Sequence, residues 1–293
     1  MSELSTPFEE VTLRVKGLTI AAKMWGPKDG YPVIAAHGWL DNCGSFDPIM
    51  PLLKGMRVCA MDFAGHGFSD HRPEGVLYNF LDYMSDIIGV ANELGWEKFA
   101  LLGHSMGAGV SLQTTAAFQE RVTHLMLIDA FGPPALPVEE IPQKMNEAIT
   151  KLLRKGPSRV PVYKDEQEAK QTRFNLGGLS WEGVETLCLR GLKEVEGGIT
   201  WRTDARVKIP HAMRLSPSQI AQILKTIKNP VIVVMAEEGF PWDKEALEHR
   251  MTLVPQLEKH TLPGHHHLHM EEGTRETIAE LFNQFMEKHL SYI

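Results

Sequence analysis

The chain has 293 residues, of which 43% are hydrophobic and 23% are charged. This composition is typical of a globular protein and excludes a disordered or fibrous one. The formal net charge is -7 and no run of Lys and Arg forms a basic stripe, so nucleic acid is not the expected partner. The three cysteines, Cys43, Cys59 and Cys188, give neither a disulfide framework nor the spacing of zinc ligands.

The two ends of the sequence carry no targeting pattern. The opening stretch MSELSTPFEEVTLRV lacks the basic region and apolar run of a signal peptide. No apolar run reaches the roughly 18 residues of a membrane span. The last three residues, SYI, differ from the Ser-Lys-Leu signal of peroxisomal proteins. We therefore expect a cytoplasmic protein; a peroxisomal location and the oligomeric state stay open.

Short apolar runs of strand length alternate along the chain with amphipathic stretches. The first two runs, VTLRV and LTIAAKMW, are joined at Lys16-Gly17 and predict an antiparallel hairpin. From residue 31 onward, helical patterns separate the runs YPVIAAHG, MRVCAMD, KFALLGH, VTHLMLID, PVIVVMA and QLEKHTLPG. Such alternation predicts an α/β fold with a mostly parallel sheet that is covered on both faces.

Residues 134–227 interrupt this alternation. Prolines cluster in DAFGPPALPVEEIP and mark a boundary, and the sequence that follows has a helical pattern without a comparable series of strands. Ser216 and Pro217 are the expected N-cap and first residue of the last helix in this segment. We therefore predict a helical cap, residues 134–227, inserted into an α/β core formed by residues 1–133 and 228–293.

The stretch LLGHSMGAGVSL contains a G-x-S-x-G pattern with Ser105 at its centre. It lies where a predicted strand changes to a predicted helix, which is the context of a nucleophile elbow. The sharp turn excludes bulky neighbours and holds the serine hydroxyl above the sheet, at a helix N-terminus that favours negative charge. Ser105 is the candidate nucleophile; the alternative is an ordinary Gly-Ser turn.

A second motif, VIAAHGWLDN, ends an earlier core strand and supplies residues for the surroundings of the serine. Gly38 allows close approach of the backbone. We predict that the backbone amides of Trp39 and Met106 form an oxyanion hole. The other interpretation of Trp39 is an aromatic residue in the pocket wall, and both can hold. The residues predicted to support the site are His37, Gly38 and His104.

Three polar residues near these motifs are assigned no direct chemistry. Asp62, in MDFAGHGFSD, is expected to bind the backbone of the loop that follows its strand. Asp41 and Asn42 are expected either to line the pocket or to cap the next helix.

Four histidines follow the last predicted strand in LPGHHHLHMEE: His265, His266, His267 and His269. This is where the base belongs in the chain order serine, acid, histidine. The cluster also suggests a metal site, but adjacent side chains point in different directions and no Asp, Glu or Cys completes an obvious set of ligands. We therefore predict no metal and no cofactor.

The motifs HGWLDNCGSFD, DFAGHGFSD, GHSMG and the terminal Gly-x-His-His-x-His resemble those of the serine hydrolase-like (kraken) branch of the α/β-hydrolase superfamily. They occur in order from about residue 18 to residue 285, which is nearly the whole chain. The resemblance implies the α/β-hydrolase fold. It also implies His266 as the triad base, whereas the simpler Gly-His pattern of the superfamily would select His265.

The acid of the triad is the open position. In most of the superfamily it follows the seventh core strand, where Gly239 stands here. Asp129, one helix and one strand after the candidate nucleophile, would lie at the C-terminal edge of the neighbouring strand, as in the dehalogenase-type and luciferase-type members that the arrangement resembles. We predict Asp129 as the acid, with a purely structural role as the alternative. The other candidates for the acid are Asp243, Glu238 and Glu237.

A serine nucleophile argues against epoxide hydrolases and haloalkane dehalogenases, which need a carboxylate in its place. We expect a carboxylesterase-like serine hydrolase that cleaves an ester or thioester of a small acyl substrate through an acyl-enzyme. One alternative is a carbon–carbon bond hydrolase or perhydrolase with the same triad. The other is a catalytically weak binding protein on a hydrolase scaffold, which the missing carboxylate at position 239 favours.

Overall fold

The computed structural model describes residues 8–154, 160–210 and 213–290. The first seven residues and the tripeptide SYI, on which the expectations about targeting partly rest, lie outside these ranges. Within the described ranges, no helix is both long enough and apolar enough to cross a membrane.

Eleven strands form two sheets in the described part of the chain. In chain order they are β1 (Glu9–Val15), β2 (Leu18–Trp25), β3 (Tyr31–Ala36), β4 (Met56–Met61), β5 (Phe99–His104), β6 (Val122–Ile128), β7 (Val162–Tyr163), β8 (Leu192–Val195), β9 (Gly198–Trp201), β10 (Val231–Glu238) and β11 (Leu257–His265). Eight of them form the main sheet, in the order β1-β2-β4-β3-β5-β6-β10-β11.

The main sheet is mostly parallel, as predicted. Strand β2 is antiparallel to both of its neighbours, and every other adjacent pair is parallel. The predicted N-terminal hairpin is also confirmed, because β1 and β2 pair around the turn at Lys16 and Gly17, with Val15 opposite Leu18.

The helices of the described residues are α1 (Phe80–Glu93), α2 (Met106–Ala117), α3 (Ile141–Leu152), α4 (Glu166–Asn175), α5 (Trp181–Gly191), α6 (Pro217–Thr226), α7 (Lys244–Thr252) and α8 (Thr274–Leu290). Helices α1, α2, α6 and α7 pack on one face of the main sheet and α8 packs on the other. Neighbouring residues of a strand point to opposite faces. Ile34 therefore packs in one core cluster with residues of α1, α2, α6 and α7, and Val33 packs in the other with residues of α8.

Residues 134–227, the predicted insertion, contain the predicted helices α3 to α6 and also a small antiparallel sheet in the order β7-β9-β8. The expectation of a helical segment without a strand series is wrong in this respect. The three strands have only two to four residues each, which is too short for a readable alternation. The turn at Gly197, with φ of 89°, is the signal that marks the β8–β9 hairpin.

Helix α6 begins as the sequence predicts. The Ser216 side chain accepts a hydrogen bond from the amide of Gln219, whose side chain binds back to the Ser216 amide, and Pro217 is the first helical residue. The buried residues Ile220 and Leu224 of α6 belong to the same core cluster as Ile34. The division into core and cap at residues 134–227 stays a prediction.

Candidate active site

Ser105 lies at the turn between β5 and α2 with φ of 52° and ψ of -114°, a backbone conformation that residues other than glycine rarely adopt. Its amide donates to the carbonyl of Ile128, 3.1 Å away, which fixes the turn against the end of β6. Met106 is the first residue of α2, so its amide is among the donors that a helix leaves without an internal acceptor.

The glycines on either side of Ser105 follow from close packing of the turn. A Cβ at Gly103 would lie 2.6 Å from Cα of Ala108, and a Cβ at Gly107 would overlap the carbonyl of Ala36 at the end of β3. The G-x-S-x-G pattern therefore has a steric cause here, because the turn is pressed against both its own helix and the neighbouring strand.

His266 lies between Ser105 and Asp129. Its Nε2 is 2.8 Å from Oγ of Ser105, and its Nδ1 is 2.5 Å from Oδ2 of Asp129. Since the carboxylate only accepts, Nδ1 carries the proton and Nε2 is free to accept from the serine hydroxyl. Burial lowers the pKa of His266, against the opposing effect of the hydrogen bond to Asp129, and this favours the neutral form.

His265, the alternative base, is not brought to the serine. Its side chain is 60% exposed and its Nδ1 lies 3.7 Å from Oε2 of Glu238. Strand β11 ends at His265, and the turn that follows directs the next residue, His266, toward the sheet edge.

Asp129 is fully buried and has a φ of 47°. Its Oδ1 accepts from the amide of Ala236 at 2.9 Å, and its Oδ2 accepts from the amide of Phe240 at 3.0 Å. The indole of Trp242 donates to its carbonyl at 3.1 Å. The backbone at the end of β10 and just after it thus holds the carboxylate of Asp129 toward His266.

The structure shows a steric reason for glycine at position 239, which the sequence did not reveal. A Cβ at this position would overlap both carboxylate oxygens of Asp129. The space that an aspartate side chain would occupy after β10 is therefore filled by the carboxylate that follows β6.

The other candidate acids do not reach His266. The carboxylate of Asp243 accepts from the amide of Ala246 and caps α7. Glu237 and Glu238 are exposed at the end of β10.

Trp39 and Met106 are brought to the same cavity as Ser105. This cavity has a volume of about 540 Å³, and its wall also includes His266. The indole of Trp39 is half exposed and donates to the carbonyl of Val207, 3.1 Å away, in the predicted cap. The residue therefore lines the pocket, and the role of its amide stays a prediction.

The three predicted supporting residues surround the site. His37 accepts from the amide of Phe63 through Nε2, at 3.0 Å, and donates through Nδ1 to the carbonyl of Gly38 at 2.7 Å. Nε2 of His104 lies 2.9 Å from the carbonyl of His266. These bonds tie together the loops that follow β3, β4, β5 and β11.

Asp62 binds the loop backbone as expected, since it accepts from the amides of Cys43 and Phe68, both at 2.8 Å. Its partner Arg190, whose Nε donates to Asp62 Oδ2 at 2.7 Å, has no signal in the sequence. Asn42 caps the short helical turn after it.

Asp41 contacts two histidines instead of capping a helix. Its Oδ2 lies 3.1 Å from Nε2 of His267 and 3.6 Å from Nδ1 of His104. Pairing Asp41 with His267 was not anticipated, because the two residues lie on loops at opposite ends of the chain.

A mostly parallel eight-stranded sheet, with a serine on the strained turn between a central strand and its following helix, defines the class of α/β hydrolases. The sequence model of the α/β hydrolase fold family matches residues 31–184, and the chain belongs to this family.

Within that class, the chain is similar to human serine hydrolase-like protein 2, with 32% identity over 98% of this chain and 97% of that protein. A hypothetical protein from Pseudomonas aeruginosa has a similar solved structure, with a TM-score of 0.91 and 42% identity over 95% of this chain and 99% of that one. A thioesterase domain from the curacin biosynthetic pathway gives a TM-score of 0.83 and 26% identity over 94% and 99%. The resemblance to serine hydrolase-like proteins is thus confirmed, and these relatives support a hydrolase.

Proposed function

We propose that the protein is a carboxylesterase-like serine hydrolase that cleaves an ester or thioester of a small acyl substrate. One observation carries this proposal: the continuous hydrogen-bond chain from Ser105 Oγ through the imidazole of His266 to the carboxylate of Asp129. This chain opens into a cavity of about 540 Å³, a size that accommodates a small molecule.

The proposed reaction uses only groups of this chain. Oγ of Ser105 attacks the acyl carbon while Nε2 of His266 takes the hydroxyl proton and then returns it to the leaving group. Asp129 holds the tautomer of His266 and stabilises its charged form. The amides of Trp39 and Met106 stabilise the oxyanion. Water, activated by His266, then releases the acyl group from Ser105. These steps require no cofactor.

The walls of the cavity favour a moderately hydrophobic acyl group. Phe80, Phe240 and Trp242 contribute aromatic surface, and Lys208 and Arg214 are its cationic residues. The similarity to the curacin thioesterase domain supports thioesters, as well as esters, as substrates. Carbon–carbon bond hydrolysis and perhydrolysis would use the same three side chains and are separated from ester hydrolysis by substrate assays.

The alternative of a catalytically weak binding protein rested on the missing carboxylate at Gly239. Because the Asp129 carboxylate occupies the space beside Gly239, this observation no longer favours that alternative.

Residues 134–227 are proposed to act as a cap over the site. The carbonyl of Val207 binds the indole of Trp39, and Ile209 and Arg214 line the cavity beside Ser105. The segment therefore contributes part of the wall that a substrate would contact.

Replacing His266 by alanine is expected to lower turnover of an ester or thioester by about 10³-fold or more, because the base is lost. Replacing the exposed His265 by alanine is the matched control and is expected to leave the rate nearly unchanged. Steady-state rates of both variants over a panel of acyl esters and thioesters test the proposed function. If only the His265 variant is inactive, the base has been assigned one residue too late.

Replacing Gly239 by alanine is expected to lower turnover by about 10²-fold, because the added methyl displaces the Asp129 carboxylate from His266. Gly197→Ala is the control: it places alanine at a φ of 89°, where no atom lies within 4 Å, so it costs stability without touching the site. Turnover is compared per folded molecule, after circular dichroism of each variant. An unchanged rate in Gly239→Ala would show that turnover does not depend on the position of the Asp129 carboxylate beside Gly239.

A further inference from the structure

A second group of polar side chains lies behind the proposed triad. Asp41, His104 and His267, which we name the Asp41 cluster, are all buried, with exposures of 5%, 0% and 7%. One ligand atom from each lies within 4.8 Å of the others. None of the three is part of the proposed Ser105–His266–Asp129 chain, and the proposed reaction gives no role to the carboxylate of Asp41 or the imidazole of His267.

The hydrogen bond from His104 to the backbone determines its tautomer. Nε2 of His104 lies 2.9 Å from the carbonyl of His266, and a carbonyl can only accept, so Nε2 carries the proton. In the neutral ring, Nδ1 then presents a lone pair. This buried atom has no hydrogen-bond partner and lies 3.6 Å from Oδ2 of Asp41. The lone pair of Nδ1 and the carboxylate of Asp41 thus face each other with no donor between them, an arrangement that a bound cation would stabilise.

The distances in the Asp41 cluster suit a metal ion. Histidine nitrogens and carboxylate oxygens bind zinc at about 2.0–2.2 Å, and a tetrahedral arrangement places two such ligand atoms about 3.4 Å apart. Oδ2 of Asp41 lies 3.1 Å from Nε2 of His267 and 3.6 Å from Nδ1 of His104. Both separations are close to the tetrahedral value. The remaining pair, Nδ1 of His104 and Nε2 of His267, lies within 4.8 Å, so the two imidazoles would move closer together when an ion binds.

The surroundings of His104 also match those of a metal ligand. A histidine that binds a metal through one ring nitrogen usually donates the other N–H to a carbonyl or carboxylate, which fixes the ring. The bond from His104 to the His266 carbonyl is of this kind. Two imidazoles and one carboxylate form a donor set that transition metals such as zinc accept.

The Asp41 cluster is reachable from a cavity. Asp41 and His267 line a space of about 480 Å³, and Trp39 and Phe240 belong to the walls of both this space and the Ser105 cavity. An ion therefore has a route to two of the three ligands, with room for water as a fourth ligand.

We propose that Asp41 Oδ2, His104 Nδ1 and His267 Nε2 bind a divalent transition-metal ion such as Zn²⁺. The sequence-based prediction of no metal rested on the lack of a carboxylate to complete the histidines, and the fold brings Asp41 to that position. The ion ties the loop that carries His266 and His267 to the loop after β3 and to the end of β5.

Binding is tested on the full chain after treatment with a chelator and exchange into metal-free buffer. Isothermal titration with Zn²⁺ is expected to give one ion per chain, with micromolar or tighter affinity. Co²⁺ is expected to give the visible absorption of a tetrahedral site. Zn²⁺ at about 100 times its Kd should raise Tm by about 5 °C.

The variant His267→Gln is expected to weaken Zn²⁺ binding by about 100-fold or more, and Asp41→Asn serves as a second ligand variant. His265→Gln is the matched control, since this exposed histidine lies in the same loop beside Glu238 but outside the Asp41 cluster. Ser105→Ala should bind the ion like the unmodified protein. Binding is read without turnover, so its failure is distinguishable from failure of the proposed hydrolase.

Two outcomes would overturn the metal site. In the first, the unmodified protein binds no ion at 1 mM Zn²⁺, about 1,000 times a micromolar Kd. In the second, His265→Gln loses the ion while His267→Gln keeps it, which places binding at the exposed His265–Glu238 pair.

Discussion

Replacing Ser105 by alanine is expected to lower turnover by about 10³-fold or more and to abolish labelling by a fluorophosphonate. The oxygen that would form the covalent bond is removed, and the hydrogen bond to Nε2 of His266 is lost with it. Alanine keeps the Cβ of serine, so the backbone at φ of 52° is no more strained than before. The variant is therefore expected to fold like the unmodified protein.

The labelled residue is identified by intact mass and peptide mapping after incubation with the probe. Ser111→Ala is the control, because Ser111 is a buried serine on α2, the helix that follows Ser105, and does not line the Ser105 cavity. This control should be labelled at Ser105 and keep its rate. An adduct on another residue, or no adduct on folded and active protein, would refute the assignment of the nucleophile.

Replacing Asp129 by asparagine is expected to lower turnover by up to about 10⁴-fold, because an amide cannot hold His266 in the tautomer that accepts the serine proton. Asparagine also has one oxygen where the carboxylate uses two to accept from the amides of Ala236 and Phe240. One of these amides would lose its acceptor, at a cost of about 1–3 kcal/mol in the free energy of unfolding. Turnover must therefore be expressed per folded molecule, with the folded fraction taken from denaturant unfolding.

Two variants test whether another acid serves His266. Asp243→Asn is expected to weaken the cap of α7 and Glu238→Gln to change an exposed side chain, with little effect on turnover in either case. If Asp129→Asn lowers stability but keeps its rate per folded molecule, Asp129 is only structural. If Asp243→Asn alone abolishes turnover, the acid lies on the loop after β10.

Features that depend on consecutive residues could be predicted from the sequence. The β1–β2 hairpin, the capped start of α6 and the strand-to-helix turn at Ser105 are each specified within a few residues, by apolar alternation, a capping pair or glycines around a serine. The resemblance to a known family added His266 as the base. The structure brings His266, and not His265, to within 2.8 Å of Ser105.

The short strands β7, β8 and β9 could not be predicted in the same way. Each contains at most four residues, and a stretch of that length has no periodicity of its own. Their pairing with one another makes them strands, and pairing is a property of the folded chain.

The sequence by itself determined the class of fold, the candidate nucleophile and the loop that would carry a base. Tertiary structure decided which carboxylate faces the base, why position 239 is a glycine, and that Asp41 meets His267. Asp129 lies 137 residues from His266, and Asp41 lies 226 residues from His267. A local sequence pattern cannot show which of two such distant residues will be in contact. These contacts form when the parallel strands align and the loops at their C-terminal ends meet at one edge of the sheet.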